Sequence, residues 1–179
     1  EFPADVLVIT DGGVKLWGGP VGPDAFCKAL TAKRAGKAQK LLDAIGQLED
    51  PQVALRLLRQ CASFSRMVFS ARLTHSTARR EELAAFDAKV RRCLEQFSGL
   101  RPDDQQWLLA TLAARHGGLG LRSIERHSSA AHIASVANTL DRCREVDAAY
   151  TSSFEDPGSS AAAALAQFNG SVGAEHQLP

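Results

Sequence analysis

Apolar positions along this chain follow two periods, and the change from one to the other falls near Pro20. Before it, Val6-Leu7-Val8-Ile9-Thr10 is a β-branched run, Asp11-Gly12-Gly13 supplies residues that tolerate positive φ, and Val14-Lys15-Leu16-Trp17 extends again. That alternation predicts a β-hairpin. An isolated hairpin is marginal in water, so these strands need a sheet or a helix to pack on.

After Pro23-Asp24 the period becomes helical. A first helix carries Phe26, Leu30, Leu41, Ile45 and Leu48 near one face and closes at Gly46 and Asp50-Pro51. Asp50 as N-cap with Pro51 at the first helical position starts a second, from Pro51 to about Arg72, with Leu57, Leu58, Cys61, Phe64 and Val68 among its apolar residues. Thr77 offers a cap for a third, with an inward stripe of Leu83, Phe86, Val90, Leu94 and Phe97 that ends at Gly99. Short links between these three suggest an antiparallel bundle. A fourth, shorter helix starts around Pro102-Asp103-Asp104, carries Trp107, Leu108 and Leu112, and stops at His116-Gly117-Gly118. Ser123 caps a fifth that runs to about Tyr150, with Ile124, Ala131, Ala134, Leu140 and Val146. Beyond Thr151, Ser, Ala, Gly and Pro predict a loosely held tail with one alanine-rich turn of helix between Ser159 and Phe168. The fold class is therefore mainly α: a helical bundle of three helices plus two more, with a short N-terminal β-hairpin.

The 179 residues suffice for one core, or one core with an appendage. No run approaches the roughly 18 apolar residues of a membrane span, so no membrane partner is expected. Glu1-Phe2-Pro3-Ala4 carries no initiator Met and no signal segment, which predicts a piece of a longer reading frame. Cys27, Cys61, Cys93 and Cys143 lie far apart without a CxxC pair, the pattern of reduced thiols and of an intracellular compartment. Net charge is +1, but it is unevenly spread: residues 1–80 hold 12 Lys/Arg against 7 Asp/Glu, and residues 81–179 hold 9 against 13. A basic half of this kind attracts phosphate backbones or forms a solvated helix face.

Candidate chemistry is sparse. Asp103-Asp104 is an adjacent acidic pair at an element boundary, and paired carboxylates hold metal ions in polymerase sites. Between Pro102 and Gln105-Gln106, however, the pair complements the positive end of a helix dipole. His116-Gly117-Gly118 has no G-x-S-x-G elbow to serve and reads as a helix terminator. Gly118-Leu119-Gly120 lacks the third glycine of a dinucleotide fingerprint, and no phosphate-binding G-x-x-x-x-G-K-[ST] occurs. His127 and His132 are five apart, point to different sides of a helix, and read as isolated surface or boundary histidines. No catalytic constellation and no metal site is predicted.

The basic residues fall in rows. Lys33, Lys37 and Lys40 lie within about 60° of each other on a helical wheel, beside the apolar stripe. Arg59 and Arg66 are seven apart, and so nearly eclipsed, with Arg56 close by. Converging rows follow a phosphate backbone. The same spacing also fits long side chains lying over the core edges with their heads in water.

Three blocks resemble the region that follows the palm in reverse transcriptases of non-LTR retrotransposons. Lys15-Leu16-Trp17-Gly18-Gly19-Pro20-Val21-Gly22 resembles the hairpin that closes the palm, with Trp17 in the place of the usual leucine. Leu41-Leu42-Asp43-Ala44-Ile45, with Asp50-Pro51-Gln52-Val53-Ala54-Leu55-Arg56-Leu57-Leu58-Arg59, resembles the first two thumb helices and their joint. His116-Gly117-Gly118-Leu119-Gly120-Leu121-Arg122-Ser123, followed by Ala130-Ala131, resembles the motif after the thumb.

The resemblance implies four regions: 1–22 as the end of a palm-like domain, 23–100 as a three-helix thumb-like bundle, 101–150 as a post-thumb helical region and 151–179 as a flexible tail. It implies a primer-grip-like turn at Leu16, Trp17, Gly18 and Gly19, and a template–primer duplex, RNA–DNA or RNA, as partner together with an upstream palm. Catalytic aspartates and their Mg2+ are expected in that palm, upstream of Glu1, so these residues need no cofactor and do not polymerise by themselves. Lys33, Lys37, Lys40, Arg56, Arg59 and Arg66 are the expected duplex-facing cations. The rival expectation is a degenerate or repurposed helical module that serves structure or protein interaction and binds no nucleic acid.

Overall fold

The computed structural model describes residues 12–74, 77–150, 154 and 156–179. Their architecture is mainly helical with a two-stranded antiparallel hairpin. Strand β1 (Val14–Leu16) pairs with β2 (Gly19–Val21), Val14 opposite Val21 and Leu16 opposite Gly19. Trp17 and Gly18 form the turn with φ of 50° and 89°. Two positive φ values make a type I′ turn, whose twist matches that of the flanking strands. Val14–Leu16 thus pairs forward in the chain. The strand expected at Val6–Thr10, with Asp11, lies outside the described residues.

The hairpin rests on helices. The Phe26 ring lies against Gly13 and the Leu73 side chain against Gly19, each so close that an added Cβ would stand 2.2 Å and 2.1 Å from them. Helix α1 (Asp24–Gly46) buries Cys27, Thr31, Ala35, Ala38, Leu42 and Ile45. That stripe consists largely of small residues, so the larger Phe26, Leu30, Leu41 and Leu48 form its half-buried shoulder rather than its centre.

The expected helix from Pro51 to Arg72 is two helices. Asp50 Oδ1 accepts from the Gln52 and Val53 amides at 2.8 Å and 3.2 Å, starting α2 (Pro51–Leu57). A π-helical turn follows at Leu58–Ala62, where the Ser63 amide donates to the Leu58 carbonyl at 3.0 Å. Ser63 then leaves the helical region, at ψ −121°, and α3 (Phe64–Leu73) takes a new course. Leu58, Ala62, Met67 and Ala71 point into the core, whereas Leu57 and Cys61 are exposed.

Helix α4 (Arg80–Ser98) buries Leu83, Phe86, Val90 and Leu94 and ends at Gly99 in the left-handed conformation. Its start differs from the expected Thr77 cap. A 3₁₀ turn at Thr77–Arg79 intervenes, and Arg79 occupies the cap position without a capping bond from its side chain. That side chain goes inward instead, 1 % exposed, with Nη1 donating to the Ser70 carbonyl at 3.4 Å. Burial pulls its guanidinium pKa down, while the nearby Cys27 and Asp24 act in the opposite sense.

Helix α5 (Asp104–Thr111) has a reciprocal capping box: Asp103 Oδ1 accepts from the Gln106 amide at 2.8 Å, and Gln106 Oε1 accepts from the Asp103 amide at 3.0 Å. Asp104 pairs with Arg91 at 2.7 Å. Both carboxylates of the acidic pair therefore serve the joint between α4 and α5. The helix stops at Thr111, ahead of the expected His116, because Leu112 and Ala113 are extended. A separate 3₁₀ turn spans Ala114–His116, and the chain folds back so that the Leu119 and Leu121 amides both donate to the Ala110 carbonyl, at 3.1 Å and 3.3 Å.

Helix α6 (Ile124–Val146) and helix α7 (Ser160–Ser171) complete the fold. The tail expected to be loose is a three-turn helix that packs on α6, with Ala161 and Ala164 buried. Its small side chains allow the close approach. One hydrophobic core runs without a break from Ala35 through Phe86 to Leu121 and Ile124. Cys27 and Cys93 are buried, Cys143 is half-buried and Cys61 exposed, all as thiols. Burial pushes the Cys93 thiol up to about 11. Among the described residues no helix is long and apolar enough to cross a membrane.

Two buried polar side chains tie the later helices to the earlier ones. Asp87, buried on α4, accepts from Ser123 Oγ at 2.6 Å and from the Ile124 and Glu125 amides at 3.0 Å and 3.1 Å. One carboxylate thereby satisfies amides at the start of α6 and sits at the positive end of its dipole. Burial pushes its pKa up, against the pull of those three hydrogen bonds. His132, expected near the surface, is buried on α6: Nδ1 donates to the Arg72 carbonyl at 3.1 Å and Nε2 accepts from Ser160 Oγ at 3.2 Å. The imidazole thus joins α3, α6 and α7.

Replacing Asp87 by Ala leaves buried amides unpaired and is expected to cost about 2–3 kcal/mol in urea unfolding, with Asp87→Asn losing less because one acceptor oxygen remains. For His132, burial lowers the pKa, the Arg72 carbonyl bond raises it and Arg79 lowers it, with a net downward shift. A lowered histidine pKa in the folded state means that the unfolded chain takes the proton first. Stability is then full above about pH 6.5 and falls as the pH drops below that value. The urea midpoint should decrease between about pH 7.5 and 5.5, and His132→Gln should flatten that decrease.

Candidate nucleic-acid interface

The four residues matched to a primer-grip turn form the tip of the hairpin, and the fold holds that tip still. Arg34 on α1 does most of the holding: Nη2 donates to the Gly18 carbonyl at 2.7 Å, Nη1 bonds Ser70 Oγ on α3, and the guanidinium lies 5.8 Å from the centroid of the Phe69 ring. A single cation thus ties the turn to both helices. Trp17 at this tip is 90 % exposed and is a non-glycine residue at positive φ among the described residues. Positive φ costs an L-residue roughly 1–2 kcal/mol, and exposing an indole forfeits its burial as well. Leu16 precedes it and is also exposed, as is Val21 at the far end of β2.

Lys33, Lys37 and Lys40 are exposed on α1 and take part in no ion pair among the described residues. They stand about 180–240° around the helix from the buried stripe centred on Thr31, so they lie opposite the core rather than beside it. The difference from the expected placement arises because Phe26, Leu30 and Leu41 form the shoulder of the stripe and small residues form its centre. Other basic residues of the first half are engaged: Lys28 with Glu81 and Glu82 at 3.1 Å and 3.4 Å, and Arg80 with Glu125 at 2.6 Å.

The second row does not survive folding. The π turn and Ser63 separate Arg59 from Arg66, so seven residues no longer mean one face. Arg66 turns back and donates from Nε to the Cys61 carbonyl at 2.8 Å, closing the end of the π turn. Arg56 is exposed on α2. Arg59 alone finds a cationic neighbour, and that neighbour comes from far along the chain: Arg122, which shares a cleft with it.

This cleft of about 310 Å³ is lined by Arg59, Phe64, Ser65, Gly120 and Arg122, with Ala113 and Ala114 on its far wall. The Arg122 guanidinium lies 5.8 Å from the centroid of the Phe64 ring, and His127 meets the same ring edge-on at 5.8 Å. The glycine-rich segment before Arg122 is what brings it here. A Cβ on Gly118 would stand 2.1 Å from the Leu112 carbonyl oxygen, and one on Gly120, where φ is +72°, would stand 2.9 Å from Arg59 Cδ. Neither position accepts a side chain without displacing backbone or Arg59. The terminator expected at His116-Gly117-Gly118 is thus part of a longer loop that opens a space beside Arg59.

Neither Arg34 nor Arg122 is among the cations that the sequence singles out. Arg122 carried a signal, since it closes a segment with glycines at three nearby positions, and such glycines mark close backbone approach. Arg34 carried none that sets it apart from Lys33. Among the described residues no group of three or more His, Cys, Asp or Glu side chains is placed to hold a metal ion. The chain matches no protein-family model, no curated protein and no solved structure.

Proposed function

We propose that this chain holds a nucleic-acid duplex as the thumb-like region of a reverse transcriptase-type polymerase, with Trp17 set against the end of a strand and the cationic flanks on the phosphate backbone. The observation that carries the reading is the turn at Trp17-Gly18: an indole 90 % exposed, at an unfavourable φ, on a tip fixed by Arg34 to two helices. A fold spends stability on such an arrangement where the side chain has a contact to make outside the molecule. An exposed planar ring stacks on a base or sugar regardless of sequence, which suits a protein that must hold every template.

The surface of α1 supports the same reading. Lys33, Lys37 and Lys40 face outward without carboxylate partners among the described residues. Three cations on one helix face attract a polyanion without reading its bases. In this reading the helices position the duplex, and the metal ions and the bond-making chemistry belong to a palm region.

A second reading rests on a different patch. Leu100 and Leu109, 64 % and 57 % exposed, border an apolar cleft of about 340 Å³ between the end of α4 and α5. Exposed apolar surface of this kind also serves a helical module that binds protein.

Fluorescence anisotropy with a labelled RNA–DNA hybrid separates the two. Under the duplex-holding reading the chain binds at about 50 mM salt, and affinity falls steeply by about 200 mM. Trp17→Ala should weaken binding by roughly tenfold, the loss of one base stack, without changing the helical circular dichroism. Replacing Lys33, Lys37 and Lys40 together by Gln should flatten the salt dependence. A chain indifferent to the hybrid at low salt, or one whose affinity ignores all of these changes, would leave the interaction module as the better account.

A further inference from the structure

We infer that the cleft between Arg59 and Arg122 is a binding site for a backbone phosphate of nucleic acid, and that the segment His116–Arg122 exists to build it. The inference rests on the duplex-holding reading above and adds a site which that reading does not contain.

Charge comes first. The residues lining the cleft contribute two guanidinium groups and one hydroxyl, Ser65, and no carboxylate. Neither Arg59 nor Arg122 is in an ion pair among the described residues, whereas Arg80 and Arg91 on α4 each have a carboxylate within 2.7 Å. The cleft thus holds two cations and no carboxylate of its own to neutralise them. Facing walls of one sign focus the field into a cleft and draw in an anion.

Shape supports the same conclusion. The Arg122 guanidinium stands over the Phe64 ring, 5.8 Å from its centroid, and has no ion-pair partner among the described residues. Guanidinium forks match the oxygens of a phosphate, and a pre-oriented fork loses little freedom on binding. Arg59 reaches the cleft across Gly120, in the space that a side chain there would take. The volume, about 310 Å³, lies at the small end of the range for ligand clefts and is larger than a bare anion needs, which suits a phosphate with its sugar attached.

The construction is expensive if it serves folding alone. Gly117 and Gly120 both adopt positive φ, and Gly118 passes against the Leu112 and Leu109 carbonyls. The Gly120 amide donates to the Leu112 carbonyl at 2.8 Å, so the path is fixed by hydrogen bonds as well as contact. Asp87 then holds Ser123 and the Ile124 amide directly after Arg122. The arginine at the cleft is therefore held on both sides along the chain.

The test is the salt dependence of hybrid binding by the full chain and by Arg59→Gln, Arg122→Gln, the double variant, and the Lys33/Lys37/Lys40→Gln triple variant, each checked by thermal melting. If the cleft holds one phosphate, the double variant should bind on the order of tenfold more weakly and lower the slope of log affinity against log salt by about one. Gly120→Ala should reproduce that loss by displacing Arg59. If Gly120→Ala melts early, the two arginine variants decide alone. Amide NMR shifts at residues 117–122 report on the ligand: they should move with the hybrid and stay unmoved by inorganic phosphate at a few millimolar. Shifts with inorganic phosphate and an unchanged hybrid slope would make the cleft a small-anion site and overturn the assignment. A double variant that keeps the affinity and slope of the unaltered chain, while the lysine variant loses them, overturns the cleft and leaves the duplex-holding reading standing. Failure of the unaltered chain to bind the hybrid overturns both.

Discussion

A buried carboxylate fixes how the start of α6 sits on α4. Asp87 sits in the apolar stripe of α4 and accepts from Ser123 and two amides at the head of α6. Removing a charge from water is costly, and only a full set of donors offsets it, so α6 has little choice of position relative to α4. The rest follows from that placement. With its first turn fixed, α6 delivers His132 to the Arg72 carbonyl at the end of α3 and to Ser160 at the start of α7. The residue just before the clamped segment is Arg122, and its seat against Phe64 depends on the same contact.

The surface shows a complementary economy of charge. Lys28, Arg80 and Arg91 pair with carboxylates where helices meet, and Arg79 is taken into the interior. Arg34 and Arg66 spend their donors on carbonyl groups at a turn and at a helix break. Lys33, Lys37 and Lys40 on the outer face of α1, and Arg59 and Arg122 at the cleft beside Gly120, are in no ion pair among the described residues. The basic surplus of residues 1–80 therefore overstates the cationic surface, since much of it is structural.

Legibility in the sequence followed the range of the interaction. The start of α2 at Asp50-Pro51, the capping of α5 by Asp103 and of α6 by Ser123, and the stop at Gly99 were readable because each depends on groups within four residues. The stripe of α4 was readable because its residues are large. The stripe of α1 was not, since Ala35, Ala38 and Thr31 carry little apolar signal although they mark the closest packing. Asp87 left a trace, a charged residue at a buried position of the helical period, but its partners lie 36 to 38 residues away. Arg59 and Arg122 are farther apart still, and nothing local announces that they share a cleft. Of the candidate interface, then, the turn at Trp17 and the exposed lysines were within reach of the sequence, and the pairing of distant cations was not.

The widened turn at Leu58–Ala62 holds one residue more than a regular helix would use over the same span. Five residues there complete what four complete in an α-turn, so the extra residue is absorbed as a local bulge and the azimuth on either side is nearly kept. The bend comes afterwards, at Ser63, whose backbone leaves the helical region and sends Phe64 and Met67 in their new direction. A change of one residue in the length of the turn is therefore open to repair by α-helical bonding, whereas the direction of α3 is set at Ser63.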